Sequence, residues 1–155
     1  MPAPGSFCLV LHTHLPYVLG HSTWPHGAKM LYDAAADCYL PLLRVFQRLA
    51  NDGIPPRVTV SLTPVVLEQL ADERFKEWFP PFLSARAESA EANRIDFKGR
   101  GELHLTYLAE WWAKHFRGLL RYFEDDLKGD IPAALRELQE AGQLELMSAG
   151  PALPI

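Results

Sequence analysis

Cysteine is nearly missing from this sequence, with 2 in 155 residues, which excludes a disulfide framework and a Cys-based metal site. Cys8 falls in an apolar run and Cys38 in a helical pattern, so each is expected to be a small buried residue. No apolar stretch approaches the roughly 20 residues that a membrane-spanning helix needs, and residues 1–6 lack the charged start and apolar core of a secretion signal. The expectation is a cytoplasmic protein with no membrane partner. Basic clusters are lacking too: 15 Lys and Arg against 19 Asp and Glu give a net charge of -4, and the basic residues are dispersed, which argues against a nucleic-acid partner. There is no HExxH, no internal repeat and no low-complexity linker.

What is present is an ordinary globular composition, 48% hydrophobic with 13 prolines, enough for one core. The most informative stretch is Phe7–Leu11 followed by His12-Thr13-His14-Leu15-Pro16-Tyr17. Continuous apolar residues predict a strand buried on both faces, as in parallel sheets. Alternation puts His12 and His14 on one side at its carboxyl end, and Leu15-Pro16 ends the ladder. Three readings of the pair stay open: histidines satisfying backbone groups, two ligands of one divalent ion, or hydrogen-bond donors that position a sugar or ester without metal.

The remainder predicts an α/β chain. A loop over 18–29 holds His21, Trp24 and His26; Trp24 reads either as a stacking platform for a sugar ring or as a lid over the core. Apolar positions from Leu31 to Leu49 recur at helical spacing, with a kink expected at Pro41 and a stop at Asp52-Gly53. Val58–Leu62 reads as a second strand, with Thr63 as N-cap and Pro64 as first helical residue, so Thr63 joins the rim of His12. A long helical stretch follows, starting at Asp72, broken at Pro80-Pro81, and continuing as a surface helix over 82–97. The turn at Lys98–Gly101 leads to a helix over 102–126 whose stripe places Trp112 in the core and turns Trp111 elsewhere. Asp130 caps a last helix, and Gln143–Met147 reads as a third strand. Three parallel strands leave open edges, as in part of a barrel.

In their order along the chain, His12-Thr13-His14-Leu15-Pro16-Tyr17, Trp24-Pro25-His26-Gly27, Leu31-Tyr32, Tyr39–Leu42, Thr63-Pro64 and Gly142–Leu146 resemble the start of glycoside hydrolase family 57. The resemblance implies that residues 1–155 are the amino-terminal portion of a (β/α)7 barrel, with a helical insertion between strands two and three. It further implies a retaining glucan transferase that forms α-1,6 branches in α-1,4-glucans such as glycogen or amylose. His12, His14, Trp24 and Tyr17 would line the substrate cleft, without metal or cofactor. The two carboxylates of a retaining mechanism would come from strands beyond Ile155, so the chain alone is expected to be inactive, its partner being the rest of the barrel or a second copy at the open sheet edge. Two positions depart from the family pattern: residues 148–154 hold no Thr-His pair, and Ala28 and Lys29 stand where an acidic residue is usual. The alternatives are a metal-dependent barrel hydrolase using His12 and His14, or a non-catalytic glucan-binding module.

Overall fold

A computed structural model describes residues 5–20 and 27–148. Strands β1 (Val10–Thr13), β2 (Thr59–Leu62) and β3 (Glu145–Ser148) form a sheet in the order β1-β2-β3, and both pairings are parallel. The register aligns Val10 with Thr59 and Glu145, and His12 with Ser61 and Met147. Because side chains alternate, these six share one face. Leu11, Val60 and Leu146, with Thr13, Leu62 and Ser148, share the other. Helices cover the second face, where Val60 and Leu62 join the buried core and Leu11 and Leu146 pack against it.

Burial on both faces is not met by β1. It begins at Val10 rather than Phe7, and Phe7, Leu9 and Val10 are exposed. It is an edge strand whose outer side nothing covers among the described residues, so Cys8 is exposed too. Cys38 is likewise exposed rather than buried.

After β1, helix α1 (Lys29–Ala34) passes through a π-helical segment, Ala35–Tyr39, into α2 (Leu40–Asn51). Pro41 explains the widened turn. It has no N–H for the carbonyl four residues back, and its ring crowds that carbonyl. Leu40 N–H instead reaches Ala35 O, five residues back, so the expected kink takes the form of a π-bulge. Gly53, at φ 73°, ends α2 while Ile54 N–H returns to Leu49 O at 2.9 Å, a left-handed C-terminal stop.

Thr63 and Pro64 start α3 (Pro64–Ala71), although the Thr63 hydroxyl makes no cap hydrogen bond. Asp72 caps α4 (Glu73–Gly99) by accepting from Arg74 N–H. The expected break at Pro80-Pro81 is absent: α4 runs through both prolines. Phe75, Phe79 and Leu83 are fully buried on either side of them, and this continuous stripe outweighs the roughly 3 kcal/mol that an internal proline costs.

Helix α5 (Leu103–Arg121) folds back along α4, continues as a π-helical segment, Tyr122–Asp126, and is followed by α6 (Ile131–Glu140). Asp130 caps α6, its Oδ1 accepting from Ala133 N–H at 2.8 Å. The stripe of α5 is buried from Phe116 onward, but Trp112 is 43% exposed rather than in the core, because the tips of α4 and α5 extend past the rest of the molecule's apolar cluster. Among the described residues no helix is long and apolar enough to cross a membrane.

Candidate active-site face

The face of the sheet turned away from the helices carries the polar groups. His12 sits within β1, directly opposite Ser61 of β2, and its Nδ1 lies 3.0 Å from Ser61 Oγ. Ser61 is buried and His12 exposed. The hydroxyl therefore fixes the imidazole plane, while the tautomer decides which atom donates and whether Nε2 is left as donor or acceptor. One pleat toward the strands' amino ends, Thr59 Oγ1 donates to Glu145 Oε2 at 2.6 Å. The face thus carries an imidazole, a hydroxyl and a carboxylate from three strands.

His14 lies just beyond β1 and is exposed. The chain then passes through Pro16–Leu19, and its course is set by Gln69 of α3, which has no exposed surface. Gln69 Oε1 accepts from Val18 N–H at 2.6 Å and Leu19 N–H at 3.3 Å, and its Nε2 donates to Pro16 O and Val65 O, both at 3.1 Å. A buried amide with every hydrogen-bonding group engaged anchors a loop that no regular element holds.

Tyr17 is half-exposed, and its hydroxyl accepts from Arg74 Nη2 at 2.7 Å. Arg74 also clasps Asp72, through Nε at 3.0 Å and Nη2 at 2.6 Å. That hydrogen bonding is the main reason the Asp72 carboxyl titrates below its usual range, and the same clasp raises the Arg74 guanidinium. Thr63, at the carboxyl end of β2, is buried, and its Oγ1 has no hydrogen-bond partner among the described residues. Trp24, with His21 and His26, lies outside the described residues.

On the opposite side of the sheet, a hollow of about 160 Å³ lies among Leu11, Leu42, Val60, Leu62 and Leu135. Its lining is mainly apolar, and the Thr13–Tyr39 hydrogen bond, 2.6 Å long, crosses its edge. That lining belongs to the core and offers little to orient a sugar. Among the described residues no three His, Cys, Asp or Glu side chains are grouped as a metal would need, so the two-histidine metal reading gains no third ligand there.

The structure brings His12 together with Ser61, and Tyr17 together with Arg74. Sequence reasoning passed over Ser61, Glu145, Gln69 and Arg74. Ser61 and Glu145 carried a signal, being polar residues in otherwise apolar strands at the same alternation as His12. Gln69 and Arg74 carried none, because the loop residues they hold lie 50 to 57 positions away.

Comparison with known proteins points one way. The sequence profile of the glycosyl hydrolase family 57 matches residues 8–155. A 1,4-alpha-glucan branching enzyme of Thermococcus kodakarensis is 34% identical over 94% of this chain and 21% of its own length. A probable 1,4-alpha-glucan branching enzyme of Mycobacterium tuberculosis is 49% identical over 46% of this chain and 14% of its own. Among solved structures, a GH57-type branching enzyme from Pyrococcus horikoshii superposes with a TM-score of 0.85 at 34% identity, covering 91% of this chain and 26% of that one. The alpha-amylase AmyC from Thermotoga maritima gives 0.78 at 28% identity, over 91% and 26%. The chain therefore spans between about a seventh and a quarter of the length of these relatives. With a match along nearly its whole length in sequence and fold, the chain belongs to glycosyl hydrolase family 57.

Proposed function

We propose that the chain is the amino-terminal portion of an α-1,4-glucan branching enzyme, supplying the first three strands of a (β/α)7 barrel and part of its donor-sugar cleft. The observation that carries this reading is the His12–Ser61 pair on the uncovered face of a parallel sheet, 3.0 Å apart. A closed barrel would turn that face inward and pair both open strand edges. In this arrangement His12 and His14 hydrogen-bond the glucose hydroxyls next to the scissile bond, and Tyr17 bounds the ring from the loop side; Trp24 takes a sugar-binding role on the strength of its place in the family motif alone. Arg74 holds the Tyr17 hydroxyl in place.

Retention of configuration requires a carboxylate nucleophile and a carboxyl acid/base roughly 5 Å apart across the glycosidic bond. Glu145 is a carboxylate on the right face, but its hydrogen bond to Thr59 and its place one pleat below His12 suit it to orienting the floor of the cleft. The acid/base and nucleophile are assigned to strands that this chain lacks. Catalysis then needs the remaining barrel, in one polypeptide or as a second chain, and the substrate is a glycogen-like or amylose-like glucan.

The test is incubation of the purified chain with amylose, scoring new α-1,6 linkages and new reducing ends. No turnover is expected from the chain alone. Turnover that disappears in Glu145→Gln would overturn the assignment of both catalytic carboxylates to the missing strands.

A further inference from the structure

Helices α4 and α5 lie against one another through small residues, Ala87 and Ala90 on one and Ala109 and Ala113 on the other, all buried. Beside that seam opens a groove of about 390 Å³, lined by Ser89, Asn93 and Phe97 of α4, by Leu108 and Trp112 of α5, and by Asp37 of the Ala35–Tyr39 segment. None of these residues belongs to the His12 face.

Trp112 is braced as a platform. Its ring stacks on Phe116 at 5.5 Å and 24°, and meets His115 and Trp111 edge-on at 5.5 and 4.8 Å. It nevertheless keeps 43% of its surface open. The polar lining is the second observation. Asp37, Ser89 and Asn93 make no side-chain hydrogen bond or ion pair among the described residues. Arg86, which also lines the groove, lies over the Phe82 ring at 5.1 Å and shares the Asp33 carboxylate with Lys29, so its guanidinium is held away from the groove's open polar groups and only partly neutralised. What the groove offers is an apolar ring-sized surface, an amide, a hydroxyl and one free carboxylate.

That set selects a ligand class. An anion would meet the unpaired Asp37 carboxylate, and the one guanidinium in the lining, Arg86, is already engaged with Asp33. An apolar protein segment would bury Asp37 and Asn93 without partners, at a desolvation cost it could not return. A neutral sugar has a CH-rich face to stack on an indole and hydroxyl edges that donate to a carboxylate and exchange hydrogen bonds with an amide. We propose that the α4–α5 groove binds a segment of α-1,4-glucan chain, as a second glucan site apart from the cleft. This rests on the α-glucan reading above.

The experiment is titration of the purified chain with maltoheptaose, following the tryptophan indole N–H resonances by NMR, in the native chain and in Trp112→Ala, Asn93→Ala and His12→Ala. The Trp112 indole signal is expected to move and to keep moving in His12→Ala, with Kd raised about tenfold in Trp112→Ala and to a lesser degree in Asn93→Ala. Asn93→Ala, at an exposed position of α4, decides the matter if Trp112→Ala fails to fold. Binding that depends on His12 and leaves the Trp112 indole unmoved would overturn the groove while leaving the proposed function standing. Absence of any binding would remove both. Sedimentation that shifts in Trp112→Ala with no change in maltoheptaose affinity would overturn it in favour of a contact with a second copy.

Discussion

Replacing Gln69 by Leu removes the anchor of the segment that carries His14 and Tyr17 while nearly preserving side-chain volume. Four contacts disappear, but they do not weigh equally. Val65 O keeps its helical partner, and the Leu19 N–H contact at 3.3 Å is long. The cost falls on Val18 N–H, whose residue is buried; Pro16 is exposed, so its carbonyl can turn to water. An orphaned buried group costs about 1–3 kcal/mol, leaving a net loss of about 2 kcal/mol. For a chain of this size about 2–4 °C of midpoint accompanies each kcal/mol, so the melting temperature should fall by about 4–8 °C. Thermal unfolding followed by circular dichroism gives the midpoint, and hydrogen exchange gives the protection of the Val18 amide. A fall smaller than about 2 °C, with the Val18 amide as protected as before, would refute the claim that Gln69 holds the loop.

Asp130→Ala deprives Ala133 N–H of its cap and should cost about 1 kcal/mol, read as a lower urea midpoint at unchanged m-value, with Asp130→Asn recovering most of it. His115, stacked on Trp111 at 5.0 Å, is held below the ordinary imidazole value chiefly by burial, with Arg44 adding to the effect and Asp37 opposing it. The unfolded chain then takes up its proton first as pH falls, so stability should drop as pH passes downward through about 6.5. His115→Phe should flatten that decline between pH 7.5 and pH 5 in chemical denaturation; an unchanged slope would remove His115 as its source.

The strands were legible where β-branched and apolar residues stand between punctuating residues. Thr59–Leu62 falls inside the stretch expected from Val58–Leu62, and Glu145–Ser148 overlaps the expected Gln143–Met147. The caps at Asp72 and Asp130 were legible for the same local reason, an acidic side chain ahead of an apolar period. What local rules missed was set by distant neighbours. Pro80 and Pro81 read as a break, yet the buried run from Phe75 through Leu83 carries α4 across them. Trp112 read as core because it lies in register with Phe116 and Leu119, and periodicity cannot tell how far a helix pair extends beyond the layer it packs on. Phe7–Leu11 carries the pattern of a strand flanked on both sides, and among the described residues β1 has one neighbour. His12 and Tyr17 were found as residue types at a strand end, whereas Ser61 and Arg74, which hold them, became visible only through the pairing of β1 with β2 and the course of α4.

The two faces of the sheet divide the work of the molecule. The buried cluster gathers Val60 and Leu62 with Leu31, Leu40, Leu43, Val66, Phe75 and Ile131, all on or against the helical side. The His12 side contributes no large apolar residue to it, and Val10 and Met147 there are about half exposed. The buried cluster and the proposed site thus occupy opposite sides of the same strands. Ser61 joins them: its backbone belongs to the central strand of the sheet and its hydroxyl orients His12. Among the described residues the buried cluster lies on the helical side, so the His12 face holds its hydrogen bonds without an apolar cover. If the chain is part of a barrel as proposed, the added strands would dock on a preformed surface, gaining apolar contact at Val10 and Met147 and hydrogen bonds along the two open strand edges, while the positions of His12 and Ser61 are already fixed by the β1–β2 register.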